Sequence, residues 1–98
     1  MATFISTIKF TQKGLDAIQE TGQRAAAFKT AAKKLGVKVT ATYWTLGYFD
    51  GVVIFEAPDE ETAAAAMLLV SRQGNVHTTT ARAFGVGEIE KVVGLLGK

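Results

Sequence analysis

The sequence contains no cysteine, and only one proline, one histidine and one tryptophan among its 98 residues. Without cysteine, the chain cannot form disulfides, thiolate metal sites or a cysteine nucleophile. One histidine without cysteine also fails to provide the usual ligand set of a zinc site. We therefore expect no metal and no cofactor.

The chain also lacks a strong charge imbalance and a long apolar run. Its formal net charge of +2 is small for a nucleic-acid binder. No segment approaches the run of about 18 apolar residues that a membrane helix needs, and the start, MATFISTIKF, does not resemble a secretory signal. We expect a cytoplasmic protein that binds neither nucleic acid nor a membrane.

The remaining composition is that of a globular protein, with 48% hydrophobic and 20% charged residues. A chain of this length has room for one core, so residues 1–98 are predicted to form a single domain. Such a small domain has little stability to spare, and pairing with a second copy would add to it.

The residue pattern predicts four strands and four helices. Segments rich in β-branched and aromatic residues predict strands, and apolar stripes at helical spacing between capping residues predict helices. Thr11, Thr21 and Asp59 are the predicted N-caps, and Gly36 is the predicted left-handed C-cap. The strands are predicted at 3–10, 37–46, 51–57 and 76–84, and the helices at 12–20, 22–35, from 59 to just before 74, and 86–96.

The resulting order, β-α-β-β-α-β with an added helix, predicts an α+β ferredoxin-like fold with a four-stranded antiparallel sheet. Its helices cover one face of the sheet. The first three strands are apolar on both sides, as TFISTIKF illustrates, so the other face should also need a cover. A second subunit packed sheet on sheet would provide it, which predicts a symmetric homodimer.

The aromatic residues and the turn between the second and third strands form the first candidate site. Gly47 and Asp50 are typical of a tight turn, glycine for a positive φ and aspartate for bonding nearby backbone amides. The aromatic side chains are more typical of an interface or core than of a ligand platform. These residues are Tyr43, Trp44, Tyr48 and Phe49.

Three polar residues on strands form the second candidate site. Arg82 lies in the middle of a strand, and a charge there needs a partner or a wet cavity. Glu56 is the candidate partner, and the alternative is that both side chains reach solvent. His77, near a strand start, is either a surface histidine or a group for ligand binding or proton transfer.

The segment GVGEIE at residues 85–90 partly matches a phosphate-binding glycine loop. Its last position is Glu90 rather than glycine, no parallel β-α-β unit surrounds it, and Glu88 would repel a phosphate. We interpret it as a connection between a strand and a helix.

Three segments, MATFISTIKFTQKG, LGYFDGVVIFEAPDEETAAA and GNVHTTTARAF, resemble the GYD-domain family of small bacterial proteins. The resemblance covers nearly the whole chain and implies the dimeric α/β-barrel form of the ferredoxin-like fold. Gly47, Asp50 and the run 57–59 match the family motif. The family's tyrosine before the aspartate is Phe49 in this chain.

The resemblance implies no established activity, so two main hypotheses remain for function, with a regulatory module that pairs with a separate DNA-binding protein as a minor third. The first is a non-enzymatic homodimer, or a higher oligomer, that serves as an assembly domain or binds a small hydrophobic or amino-acid-like molecule. The second is a cofactor-independent monooxygenase or isomerase with an apolar pocket near Trp44, His77 and Arg82. No catalytic set is recognisable in the sequence, which favours the first hypothesis.

Overall fold

The computed structural model describes residues 1–97 and has the predicted order of elements. Its strands are β1 (Ala2–Phe10), β2 (Lys38–Trp44), β3 (Gly51–Ala57) and β4 (Val76–Ala83), and its helices are α1 (Gln12–Asp16), α2 (Thr21–Lys34), α3 (Glu60–Ser71) and α4 (Val86–Gly94), with a 3-10 turn at Ile18–Glu20. The order confirms the ferredoxin-like α+β fold.

The four strands form one antiparallel sheet in the order β2-β3-β1-β4. Strand alternation gives the sheet two different faces. One face, which we call the helix face, carries Phe4, Val53 and Phe55 and packs against apolar residues of α2 and α3. We call the other the open face, because no helix covers it in the part of the chain that the structure describes.

The core lies between the helix face and the two longer helices. The rings of Phe4 and Phe55 stack at its centre, with their centroids 5.4 Å apart, and both side chains are buried. Ser6 is also buried, and its hydroxyl accepts a hydrogen bond of 3.0 Å from Thr80 Oγ1. The buried polar group is therefore satisfied.

Most of the predicted helix boundaries are confirmed, with exceptions at the start of α2, within the predicted helix 12–20 and at the end of α4, which stops at Gly94 rather than at residue 96. The hydroxyl of Thr11 and the carboxylate of Asp59 accept the expected capping hydrogen bonds, and Gly36 has a φ of +86°. The prediction that Thr21 caps α2 is wrong, because Thr21 is the first helical residue and Glu20 precedes it without a side-chain cap. The predicted helix 12–20 is also divided into α1 and the 3-10 turn.

Helix α4 has the predicted apolar stripe, but the stripe lies in solvent. None of its residues is buried, and the exposed side chains include those of Val86, Ile89, Val92 and Val93. The 54 × 31 × 18 Å dimensions of the molecule are those of an elongated body. Within residues 1–97, no helix, α4 included, is long and apolar enough to span a membrane.

Candidate functional site

The turn between β2 and β3 is anchored to the end of β1. Gly47 has a φ of +114°, as its predicted turn role requires. The Asp50 carboxylate accepts a hydrogen bond of 2.8 Å from the Phe10 N–H, and the Asp50 N–H donates to the Ile8 carbonyl at 2.8 Å. The aspartate of the motif therefore joins the hairpin to a third strand, which secures one end of the sheet.

A cavity of about 350 Å³ lies between the helix face and helices α2 and α3. Its floor includes Ile8, Phe10 and Val53 of the sheet, and its walls include Phe28 of α2 and Val70 of α3. It is placed at the end of the sheet where β1 finishes and β3 and β4 begin. Cavities of this size fall in the range of small-molecule sites.

Trp44 and Asp50 belong to this cavity. The Trp44 indole N–H donates to the Thr21 hydroxyl at 2.9 Å, so the ring connects the edge strand β2 with the first turn of α2. Both Trp44 and Asp50 line the cavity. Two residues from the aromatic and turn cluster of the sequence thus lie at the same concave site.

The other aromatic residues of that cluster do not point into it. Tyr43 is part of the lining, but its register with Val52 places its side chain on the open face. Tyr48 is 87% exposed. The ammonium of Lys9 lies 5.1 Å from the centre of its ring and donates to its carbonyl at 2.6 Å. Phe49 is partly buried in the turn and does not line the cavity.

Glu56 and His77 both lie on the open face. Glu56 is opposite Thr3 in the sheet register, and His77 is opposite Lys9. Arg82 is opposite Phe4. The side chain of Phe4 points to the helix face, so that of Arg82 points to the same face. Because Glu56 and Arg82 lie on opposite faces of the sheet, the predicted pairing between them is wrong.

Arg82 instead holds the start of α4. Its guanidinium forms an ion pair of 2.8 Å with Glu88 and lies 4.5 Å from the centre of the Phe84 ring. It also donates to the carbonyls of Thr3 and Ala83. The hydrogen bond from Arg82, followed by that from the Gly85 N–H, lowers the pKa of the Glu88 carboxyl below its ordinary value. These contacts give Arg82 a positioning role.

Comparison with known protein families identifies the family of this chain. The model of the GYD domain matches residues 4–93. The chain belongs to the GYD family.

One relative and one structural neighbour of this GYD protein come from Thermus thermophilus. One, named "Glutamine synthetase and cystathionine beta-lyase binding protein", is 33% identical over 90 residues, which are 91% of this chain and 95% of the relative. The other is a crystal structure of a protein from the same organism, with a TM-score of 0.58 and 23% identity. The match covers 88% of this chain and 96% of the chain in that structure. This similarity supports the fold alone.

The residues that keep the cavity of the GYD protein open are not apparent from its sequence. Ala25, Ala27 and Ala31 of α2 line it, and their small side chains leave space that larger residues would fill. Thr21 and Asn75 also contribute to the lining. The available signal was the run of alanines in α2, but such a run also occurs in ordinary helices because alanine has the highest helix propensity.

Proposed function

We propose that this GYD protein is a homodimeric binding and assembly domain whose subunits pair through the open face of the sheet. The observation that carries the proposal is a continuous apolar row across all four strands. The register aligns Ala41, Ile54, Ile5 and Ala81 in that order from β2 to β4. Ile5 is 37% exposed at its centre.

The residues around this row have the distribution of a subunit interface. Apolar groups occupy the centre of such interfaces, and polar groups occupy the rim. On one side of the row, the next row across the strands is Tyr43, Val52, Thr7 and Thr79, and Lys9 and His77 follow it. On the other side lies Glu56. The centre of the open face is thus apolar and its ends are polar, as a self-complementary two-fold contact would need.

Analytical ultracentrifugation over the micromolar range tests the dimer. The expected mass is twice the 10.4 kDa of one chain, and an Ile54→Lys substitution should reduce it to that of one chain. Placing a charge at the centre of a dry interface leaves it unpaired, which is strongly unfavourable.

The matched control is Leu68→Lys, since Leu68 is an exposed apolar residue of α3 on the other side of the molecule. It should leave the dimer intact. If Ile54→Lys does not fold, Ala81→Lys on the edge strand β4 provides a milder test of the same face. A wild-type protein that sediments with the mass of one chain would overturn the proposal.

The assembly part of the proposal includes a second surface, the apolar stripe of α4. Ile89, Val92 and Val93 are spaced at helical intervals, Leu96 follows just beyond the end of the helix, and all four are exposed. An amphipathic helix of this kind can dock in a hydrophobic groove of another protein. The relative whose name describes binding of glutamine synthetase and cystathionine beta-lyase supports protein partners for this chain as well.

Binding of those two enzymes can be measured directly. Glutamine synthetase and cystathionine beta-lyase from the organism that encodes this chain would be titrated with the protein in a calorimeter. We expect binding of at least one of them, and a loss of about tenfold or more in affinity with Val92→Lys, because hot-spot contacts exceed about 1.4 kcal/mol.

Glu90→Lys provides the control for this titration, since it places the same side chain at another exposed position of α4. It should change the affinity much less. If neither enzyme binds, or if both variants bind equally well, α4 is not the docking element for them.

The alternative of a cofactor-independent enzyme has no specific observation in its favour. His77 and Arg82 do not line the cavity, and the guanidinium of Arg82 is engaged by Glu88 and by backbone carbonyls. Trp44 is therefore the single residue of that hypothesis that adjoins the pocket.

A further inference from the structure

We infer that the cavity between α2, α3 and the helix face is a binding site for an uncharged, apolar molecule of about the size of a two-ring aromatic compound. This site is separate from the open face and from α4, so it goes beyond the assembly function. Its position, its mostly apolar lining and the hydrogen bonds that already engage several of its polar groups support the inference.

The cavity is larger than a gap between packed side chains. Voids larger than a water molecule are few in protein interiors, whereas this cavity is partly open to solvent and has about 350 Å³. An apolar cavity of about 150 Å³ stays dry and accepts benzene. The present cavity therefore has room for a fused pair of aromatic rings.

Apolar side chains predominate on all three sides of the cavity. Small side chains of α2, from Ala25, Ala27 and Ala31, face larger ones from the sheet and from α3, such as Phe10 and Leu69. Burial of apolar surface contributes about 25 cal/mol per Å², which would provide the binding energy for an apolar molecule.

Several of the polar groups that adjoin the cavity already have partners. Arg24 donates to the carbonyls of Ala17 and Gly14 at 2.9 and 3.3 Å, Asp50 accepts from the Phe10 N–H, and Trp44 donates to Thr21. Within residues 1–97, no buried side-chain nitrogen or oxygen lacks a hydrogen-bond partner. Because most of the remaining lining is apolar, a charged ligand would lose its hydration there, and this argues for an uncharged ligand.

The site can be tested with naphthalene as the probe and alanine methyl groups as the reporters. In protein labelled with ¹³C at alanine methyls, we expect saturable shifts at Ala25, Ala27 and Ala31. The methyls of Ala41 and Ala81, on the open face, should remain unchanged. The indole N–H of Trp44, the single tryptophan, gives one signal that should shift with the same saturation curve.

Filling the cavity should abolish binding. Ala31→Phe would place a ring in the space, and Ala64→Phe on the exposed side of α3 is the matched control. We expect a loss of affinity of more than tenfold with the first variant and an unchanged affinity with the second. If Ala31→Phe fails to fold, Ala27→Phe at a more exposed position of the lining makes the same test.

The chemical class is tested by comparison with naphthalene-2-carboxylate. Because its charge would be desolvated, it should bind at least tenfold more weakly than naphthalene. Tighter binding of the carboxylate would overturn the assignment of an uncharged ligand. The cavity itself is excluded as the site if the shifts occur at Ala41 and Ala81, if no signal saturates, or if a folded cavity-filling variant binds as the wild type does. These readouts are independent of the subunit mass that tests the dimer.

Discussion

Arg82 Nη2 lies 2.8 Å from Glu88 Oε2, so the last part of β4 is joined to the first turn of α4. Glu88 also accepts from the Gly85 N–H at 3.2 Å, a donor that precedes the helix and has no partner within it. One carboxylate thus stabilises both the direction of the chain after the sheet and the start of the exposed helix.

This contact predicts a pH dependence for α4. The folded-state pKa of Glu88 is lowered below its unfolded value, first by Arg82 and then by the Gly85 N–H. The contact therefore stabilises the helix start above the unfolded pKa and is lost as the pH falls through the folded pKa. A ¹³C titration of the Glu88 carboxyl should give a higher pKa in Arg82→Gln than in the wild type.

Asp59 provides the control for this titration. Its pKa is also lowered, but by hydrogen bonds with Thr62 at the start of α3. The Arg82→Gln substitution should leave the pKa of Asp59 unchanged. An unchanged pKa of Glu88 in that variant would contradict the role of Arg82.

The hydrogen bond between Asp50 and the Phe10 N–H predicts a stability effect. Asp50→Ala leaves a partly buried N–H without its acceptor, and we expect a loss of about 1–2 kcal/mol in the free energy of unfolding. Asp50→Asn retains an acceptor oxygen and should lose less. Urea denaturation of both variants measures the difference, and equal losses would show that the negative charge, rather than the acceptor, matters.

Substitution of alanine for Gly14 and for Gly22 should change the stability in opposite directions. A Cβ at Gly14 would collide with the backbone oxygen of Asn75, whereas a Cβ at Gly22 meets no atom within 4 Å. Gly14→Ala should therefore reduce the free energy of unfolding by about 1–3 kcal/mol. Gly22→Ala, within α2, should increase it by about 0.5–1 kcal/mol. Thermal unfolding of the two variants tests both signs, and a neutral Gly14→Ala would mean that α1 is free to move away from Asn75.

The exposure of α4 predicts low local stability. Its backbone amides should exchange hydrogen much faster than those of the central strands β1 and β3, because no residue of α4 is buried. Hydrogen exchange followed by NMR or mass spectrometry measures this directly. Binding of a protein partner to α4 should slow the exchange, while naphthalene should not affect it. If the backbone amides of α4 without a partner exchanged as slowly as those of β1, this would contradict the exposed position of the helix.

Much of the fold was predictable because local signals agreed with one another. Thr11, Gly36 and Asp59 mark element ends by their own hydrogen bonding or backbone conformation. Gly47 and Asp50 likewise identified the turn. Thr21 was misassigned because the chain is already helical there, directly after the 3-10 turn at Ile18–Glu20. Its hydroxyl accepts from Trp44, 23 positions away in sequence, and a distant contact of this kind leaves no local pattern.

The candidate site was predictable only in part, because its residues come from different elements. Trp44 and Asp50 were identified from sequence, and the alanines of α2 were not. The pairing of Arg82 with Glu88 instead of Glu56 depends on which side of the sheet each residue faces. Residue types alone do not determine that, since a shift of one residue in register reverses the face.

Strand β2 shows most clearly what the sequence determined and what only the tertiary structure decided. The amino-acid sequence by itself determined that VKVTATYWTL forms a strand and that Gly47 allows it to turn back and pair with β3. Simple alternation would place Tyr43 on the same face as Val39. A register shift between Val39 and Ala41 changes this: Trp44 faces the helices and the cavity, and Tyr43 lies on the open face. Only the tertiary structure decided that, because the bulge arises from how two strands pair.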